Sequence, residues 1–253
     1  MNILETITAK RAAANHKYSV RELEKMIEII PLPRSFADAF RNDGISIIAE
    51  LKKASPSKGL IRADFHPEIL APMLENAGAA ALSVLTEPEY FLGSLDYLEK
   101  VRKIVSLPLL RKDFITQEIQ ILEARAAGAS AVLLIAAVLS AEKFRTLHRF
   151  AKSIGLDVLC ESHSFEEIGM LAENGAEIIG VNARNLKDFH VSQDVVLENL
   201  QRIPAGIIRI AESGIRNRED VRALHEAGAD GFLIGEALMR ESDPGAKLRE
   251  FLS

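Results

Sequence analysis

Five charged residues in this sequence each stand at the end of an apolar run of strand length. Glu50 and Lys52 follow residues 45–49, and Lys112 ends Pro108-Leu-Leu-Arg-Lys. Glu161 ends Asp157-Val-Leu-Cys-Glu, and Glu212 ends Ile207-Ile-Arg-Ile-Ala-Glu. A further run, Ile178-Ile-Gly-Val-Asn, ends in Asn182, with Arg184 just beyond it. An ammonium among carboxylates and partly shielded from water can give a proton to a carbonyl or hydroxyl, and a nearby glutamate can take one. That is general acid–base chemistry. Extended chain alternates faces, so Glu50 and Lys52 point the same way as Ile48. The same alternation turns Cys160, Arg111 and Lys53 to the other side. A single polar strand end is a strand fraying into solvent. Five that agree define a shared site, because burying unpaired charge is costly.

The elements that carry these ends alternate strictly. Apolar runs predict strands at 45–52, 80–86, 108–112, 131–135, 157–161, 178–182, 207–212 and 231–235. Amphipathic patterns predict helices near 66–77, 94–105, 116–127, 140–154, 164–174, 193–201, 217–227 and 244–252. Near-continuous apolar strands between helices mean a parallel sheet covered on its outer face. Gly78, Gly128, Gly175 and Gly228 each close a helix before a strand, 50, 47 and 53 residues apart. A period of about 50 residues is two strand–helix units. Four such periods predict one (β/α)8 TIM barrel over residues 1–253, since ~250 residues is the usual size. An open doubly wound sheet is the alternative, but no G-x-G-x-x-G follows the first strand. Residues 1–42 read as a helical extension ahead of the barrel, its second helical segment ended by Pro31 and Pro33.

In such a barrel the chemistry sits where the strands end, and every charged strand end belongs to an odd-numbered strand. Strands seven and eight run into glycine-containing turns, Ser213-Gly214 and Gly235-Glu236. Barrels often hold a phosphate there, on loop amides and a short extra helix, for which 236–239 is long enough. Lys52 could supply the countercharge. Phe91 and Phe114, just past strand ends, could wall a flat apolar ligand. The six histidines are scattered without metal-ligand spacing; His163, two past Glu161, could approach the mouth but reads as a solvent-exposed loop residue.

Bulk composition narrows the classes. A net charge of −5 argues against nucleic acid as the main partner. A single cysteine, Cys160, forms no intrachain disulfide and fits a reducing cytoplasm. The longest apolar run, 131–139, is nine residues and too short to span a bilayer, and no signal-peptide pattern opens the chain. The expectation is a cytoplasmic enzyme, metal-free and cofactor-free, monomeric or weakly homodimeric, acting on a small phosphorylated molecule.

The run Ile48-Ala-Glu50-Leu-Lys52-Lys-Ala-Ser55-Pro-Ser-Lys-Gly59 resembles the signature of the indole-3-glycerol-phosphate synthase family. The likeness continues through Thr86-Glu-Pro-Glu-Tyr-Phe91-Leu-Gly93, Leu110-Arg-Lys-Asp-Phe114, Asn182-Ala-Arg-Asn-Leu186 and Ala211-Glu-Ser-Gly-Ile215. It covers essentially the whole chain. Ala183 departs from the family's more frequent Asn or Ser. The family closes the indole ring of 1-(2-carboxyphenylamino)-1-deoxyribulose 5-phosphate, releasing carbon dioxide and water. The resemblance implies Lys112 as general acid, Glu161 as base of the dehydration, and Lys52 at the substrate's anionic groups. It implies Glu50, Asn182 and Glu212 as orienting residues and Arg184 near the substrate carboxylate. Phe91, Phe114, Leu133 and Leu186 would wall the aryl ring, and Ser55 would contact substrate. Ser213, Gly214, Gly235 and Glu236 would hold phosphate largely by backbone amides.

Three other readings compete. Another phosphosugar barrel, such as a phosphoribosylanthranilate isomerase, leaves the Glu50-Leu-Lys52 and Ser-Pro-Ser run unexplained. An aldolase using Lys112 as a Schiff base would form a covalent adduct that borohydride traps. A barrel that only binds a phosphorylated ligand has no need of Glu161.

Overall fold

A computed structural model describes residues 2–41, 44–184 and 191–253. Eight parallel strands close on themselves: β1 (Ser46–Leu51), β2 (Ala81–Leu85), β3 (Leu109–Lys112), β4 (Ala131–Ile135), β5 (Asp157–Ser162), β6 (Ile178–Asn182), β7 (Ile208–Glu212) and β8 (Gly231–Ile234). Neighbours in sequence are neighbours in the sheet, and β1 pairs β8 with Ser46 opposite Gly231 and Ala49 opposite Ile234. All eight strands expected from the apolar runs form, and the sheet is closed rather than open.

Two helices precede the barrel, α1 (Ile3–Ala12) and α2 (Val20–Glu28), followed by a 3-10 turn at Ala37–Phe40. Both helices open on capping boxes, Asn2 with Glu5 and Ser19 with Glu22, which satisfy first-turn amides that have no intrahelical partner. The covering helices are α3 (Pro67–Asn76), α4 (Leu95–Arg102), α5 (Glu118–Ala126), α6 (Ala141–Ser153), α7 (Phe165–Glu173), α8 (Gln193–Leu200) and α9 (Arg218–Glu226). The short α10 (Glu236–Met239) follows β8, and α11 (Pro244–Leu252) completes the ring. The four repeat glycines all adopt positive φ, from 87° to 101°, where a Cβ would be strained.

Alternation along each strand sorts the apolar residues into two cores. Ile47, Ala49 and Leu51 join the layer between sheet and helices. Ile48 joins the barrel interior with Leu110, Leu133, Leu159, Ile210 and Leu233. The segment before β1 serves both ends of that interior. Phe36 and Phe40 enter it at the end where strands begin, with Phe40 against Gly231. Asp157 fixes this plug by accepting the amides of Phe36 at 2.8 Å and Ala37 at 3.0 Å. At the opposite end, Leu4 and Ile7 of α1 join the same core.

Candidate active site

The strand ends surround a cavity of about 520 Å³, lined by β1, β3, β5 and β6 residues and by the loops that follow β1, β7 and β8. Its floor is charged. Lys112 at the end of β3 places its Nζ 2.6 Å from Glu212 Oε2, 3.5 Å from Glu161 Oε2 and 3.9 Å from Glu50 Oε2. Lys52, the residue after β1, is paired with the other oxygen of Glu50. Glu50 thus stands between two ammoniums. Three carboxylates from β1, β5 and β7 converge on one lysine because odd-numbered strands present the same layer to the mouth.

Burial and charge set the protonation of this cluster. Burial alone would depress the Lys112 ammonium, but Glu212, Glu161 and Glu50 outweigh it and push its pKa well up. Burial would raise Glu50, yet Lys52 and Lys112 hold its carboxyl below the usual range. Glu212 goes the other way, pushed up to about 7 by burial, against the pull of Lys112 and with the Glu161 charge adding to the rise. Glu50, Glu161 and Glu212 share Lys52 and Lys112, and His163 stands beside Glu161. Glu212, fully buried among these charges, holds a proton most readily. Its Oε1 is buried without a hydrogen-bond partner among the described residues.

Two glycines make room for these carboxylates. A Cβ on Gly180 would fall on Glu212 Oε1, and one on Gly235 would fall on Glu50 Oε1. Gly235 therefore has a steric task beside its expected place at the phosphate end. That end is built from the loop after β7, where Ser213 and Gly214 take positive φ of 66° and 73°, and from the start of α10. A non-glycine residue in that region is strained and kept only where the surroundings demand it. Gln193 of α8 fixes this turn by donating to the Gly214 carbonyl at 3.0 Å. Arg184 donates to Ser57 Oγ at 3.0 Å and lies 3.7 Å from Glu236, which also faces Lys58 at 3.6 Å.

The remaining wall is apolar. Phe91 and Phe114 pack with ring centroids 6.1 Å apart, and Leu133 lies beside them in the cavity wall. Phe91 is held by its loop, because buried Glu87 accepts the amides of Glu89, Tyr90 and Phe91 at 3.0, 2.7 and 2.9 Å. Ile3, Leu4 and Ile7 of α1 complete the wall. Arg11 pins that helix by a two-pronged contact to Asp113, at 2.9 and 2.8 Å, and Asp113 also binds Arg111 at 3.0 Å and Thr86 at 2.6 Å. Burial opposes ionisation of Asp113, but Arg111 and Arg11 bring its carboxyl down to about 2.

Of the site residues expected from sequence, Glu50, Lys52, Ser55, Phe91, Lys112, Phe114, Leu133, Glu161, Asn182 and Arg184 all border this cavity. So do Ser213, Gly214, Gly235 and Glu236, while Glu212 lies beneath it against Lys112. Leu186 falls outside the described residues. Arg111, turned away from the mouth as expected, is buried between sheet and helices, where it reaches Gln120 O at 2.6 Å and Glu123 at 3.3 Å. Cys160 is buried in the same layer. One expectation is corrected. His163 is not an exposed loop residue: its side chain is 16% exposed and its Nε2 lies 3.6 Å from Glu161 Oε1. The two-residue spacing from Glu161 already allows this, since residues 161 and 163 share a side. The apolar stripe of α1 was visible too, though not its place over the cavity.

The family model described as indole-3-glycerol phosphate synthase matches residues 2–251. The indole-3-glycerol phosphate synthase of Koribacter versatilis is 49% identical over 246 residues, covering 96% of this chain and 92% of that one. That of Carboxydothermus hydrogenoformans is 43% identical over 259 residues, covering 99% and 98%. Among solved structures, 3-hexulose-6-phosphate synthase from Salmonella typhimurium superposes with a TM-score of 0.64 at 16% identity, over 81% of this chain and 96% of that one. A mutant tryptophan synthase α-subunit from Pyrococcus furiosus gives a TM-score of 0.63 at 16% identity, over 82% and 97%. These two share the fold alone. With the family model spanning nearly every residue and relatives near half identity, the chain belongs to the indole-3-glycerol phosphate synthase family.

Proposed function

We propose that this chain carries out its family's ring closure in the cavity above the strand ends, with Lys112 as the acid and Glu161 as the base. The reaction is the decarboxylating, dehydrating conversion of 1-(2-carboxyphenylamino)-1-deoxyribulose 5-phosphate to indole-3-glycerol phosphate, and the chain is a carboxy-lyase of that kind. The aryl carbon bearing the carboxylate attacks the ketone carbon while Lys112 gives its proton to the ketone oxygen. Carbon dioxide then leaves, and its bonding pair restores the aromatic ring. The new hydroxyl departs as water on taking a second proton, from Lys52, and Glu161 takes the ring proton that leaves with it. Two protons are given and one is taken, which balances a substrate that enters as a carboxylate.

The observation that carries this reading is the Lys112 ammonium ringed by Glu212, Glu161 and Glu50 at 2.6, 3.5 and 3.9 Å under an apolar wall. Its raised pKa keeps the acid loaded, and a ketone oxygen becomes strongly basic as the carbon–carbon bond forms. Phe91, Phe114, Leu133 and Leu186 would hold the aryl ring. Lys52, with Ser55, Ser213, Gly214, Gly235 and Glu236, would receive the phosphate end, and Arg184 the substrate carboxylate. Glu50, Asn182 and Glu212 would orient the lysines and the substrate. A cytoplasmic site of action fits the net charge of −5 and the single, buried cysteine. Among the described residues no helix is long and apolar enough to cross a membrane.

The test is a fluorescence assay for indole-3-glycerol phosphate with the purified chain and with Lys112→Ala. Turnover should fall by about 10²–10⁴, the usual contribution of a general acid. Near-normal product formation by Lys112→Ala would remove Lys112 from the acid role.

A further inference from the structure

His163 stands between two glutamates. It follows β5 directly, and Ser164 then caps α7 by accepting the Glu167 amide at 3.3 Å. Glu167 returns the contact by accepting the His163 amide at 2.6 Å, so the residue's backbone is fixed at the strand-to-helix corner. From there the ring points back over the strand end. Its Nε2 is 3.6 Å from Glu161 Oε1 and its Nδ1 is 3.7 Å from Glu167 Oε2. Both ring nitrogens are buried and neither makes a hydrogen bond among the described residues, so these two carboxylates are their nearest acceptors. The other oxygen of Glu161 is the one that faces Lys112, at 3.5 Å.

A buried imidazole with a carboxylate on each side has one favourable arrangement, in which both nitrogens donate. Burial works against the imidazolium, but Glu167, Glu161 and Glu212 together raise its pKa above the ordinary histidine value. The charged groups that face it come from three strands and a helix. Glu161 is on β5, Glu212 on β7 and Glu167 on α7, while Lys112 of β3 lies behind Glu161.

We propose that His163 is a positioning residue for the reaction: its ring stands between Glu161 and Glu167 and steadies one oxygen of the Glu161 carboxylate while the other faces Lys112. This rests on the reading of Glu161 as the base. Distances of 3.6 and 3.7 Å put both carboxylates within ion-pair reach of the ring.

The experiment measures kcat and KM for His163→Asn, His163→Gln, Glu161→Gln and the His163→Asn/Glu161→Gln double variant, with Tm followed in parallel. His163→Asn should lower kcat about tenfold with KM within about twofold. In the Glu161→Gln background His163→Asn should add nothing. His163→Gln, which keeps a donor near Glu161, should recover part of the lost kcat. The proposal is overturned if Glu161→Gln is inactive while His163→Asn turns over within about twofold of the parent. It is equally overturned if kcat and Tm fall together and His163→Gln recovers none of the kcat. Full turnover by Glu161→Gln would overturn the base assignment itself, and this proposal with it.

Discussion

The lysine–carboxylate cluster makes its protein sensitive to pH in a defined sense. Glu212 has a folded pKa of about 7 against an ordinary 4.5, so the folded state binds its proton more tightly than the unfolded chain does. Its contribution to stability is full below about 4.5 and is lost as pH rises through about 7. Glu212→Gln mimics the protonated form and should narrow the difference in urea midpoint between pH 5 and pH 8. An unchanged difference would show that Glu212 is ionised throughout. Lys112→Ala leaves three carboxylates facing one another, and that variant should be markedly more stable at pH 5 than at pH 8. Asp113 behaves oppositely. Its carboxyl lies near 2 against 3.8, so it stabilises the fold above about pH 4 and loses that effect as pH falls through about 2. Most of these residues were legible in the sequence, because a charge at the end of an apolar strand is a local signal. Their pairings were not, since Lys112 and Glu212 are a hundred positions apart. His163 was misread as exposed although its two carboxylate partners, Glu161 and Glu167, lie within four residues of it.

At the level of elements, the cluster depends on places where a side chain is missing. Gly180 on β6 and Gly235 after β8 leave the space that the Glu212 and Glu50 carboxylates fill. Gly180→Ala should displace Glu212 from Lys112 and lower kcat by roughly 10², as expected for a catalytic group moved by about an ångström. A kcat near the parent's would show that Glu212 placement is unimportant. Sequence reading finds glycines at turns readily, but a glycine kept free for a neighbour's carboxylate needs the neighbouring strand in view. The same holds for α1. Its apolar stripe, Leu4 and Ile7, was visible, while its docking through Arg11 to Asp113 joins positions 102 apart. Arg11→Ala should raise KM more than it lowers kcat, because it loosens the helix that walls the cavity without touching the acid or base.

At the scale of the molecule, the two ends of the barrel have different duties. Phe36, fully buried, fills the end where strands begin, and the charged cluster occupies the end where they finish. Phe36→Ala should cost about 3–5 kcal/mol of stability, as for a large buried ring removed from a packed core. At a temperature where the variant stays folded, kcat and KM should be those of the parent. A large loss of activity there would mean that the two ends are mechanically linked. The architecture itself was the most legible feature. Strict alternation of strand and helix, with a glycine punctuating each fifty-residue period, admits few closed arrangements.

The pairing of β1 with β8 sets when activity can arise during synthesis. β1 leaves the ribosome among the first strands, and its edge stays open until residues 231–234 follow. Glu50 meets Gly235 only at that late moment, and Lys112 meets Glu212 only slightly before it. Translation therefore yields no partly working intermediate. A ribosome that stalls before residue 212 releases a chain whose Lys112 lacks Glu212, and one that stalls before residues 231–234 releases a chain with the β1 edge exposed, a substrate for quality control rather than a weak enzyme.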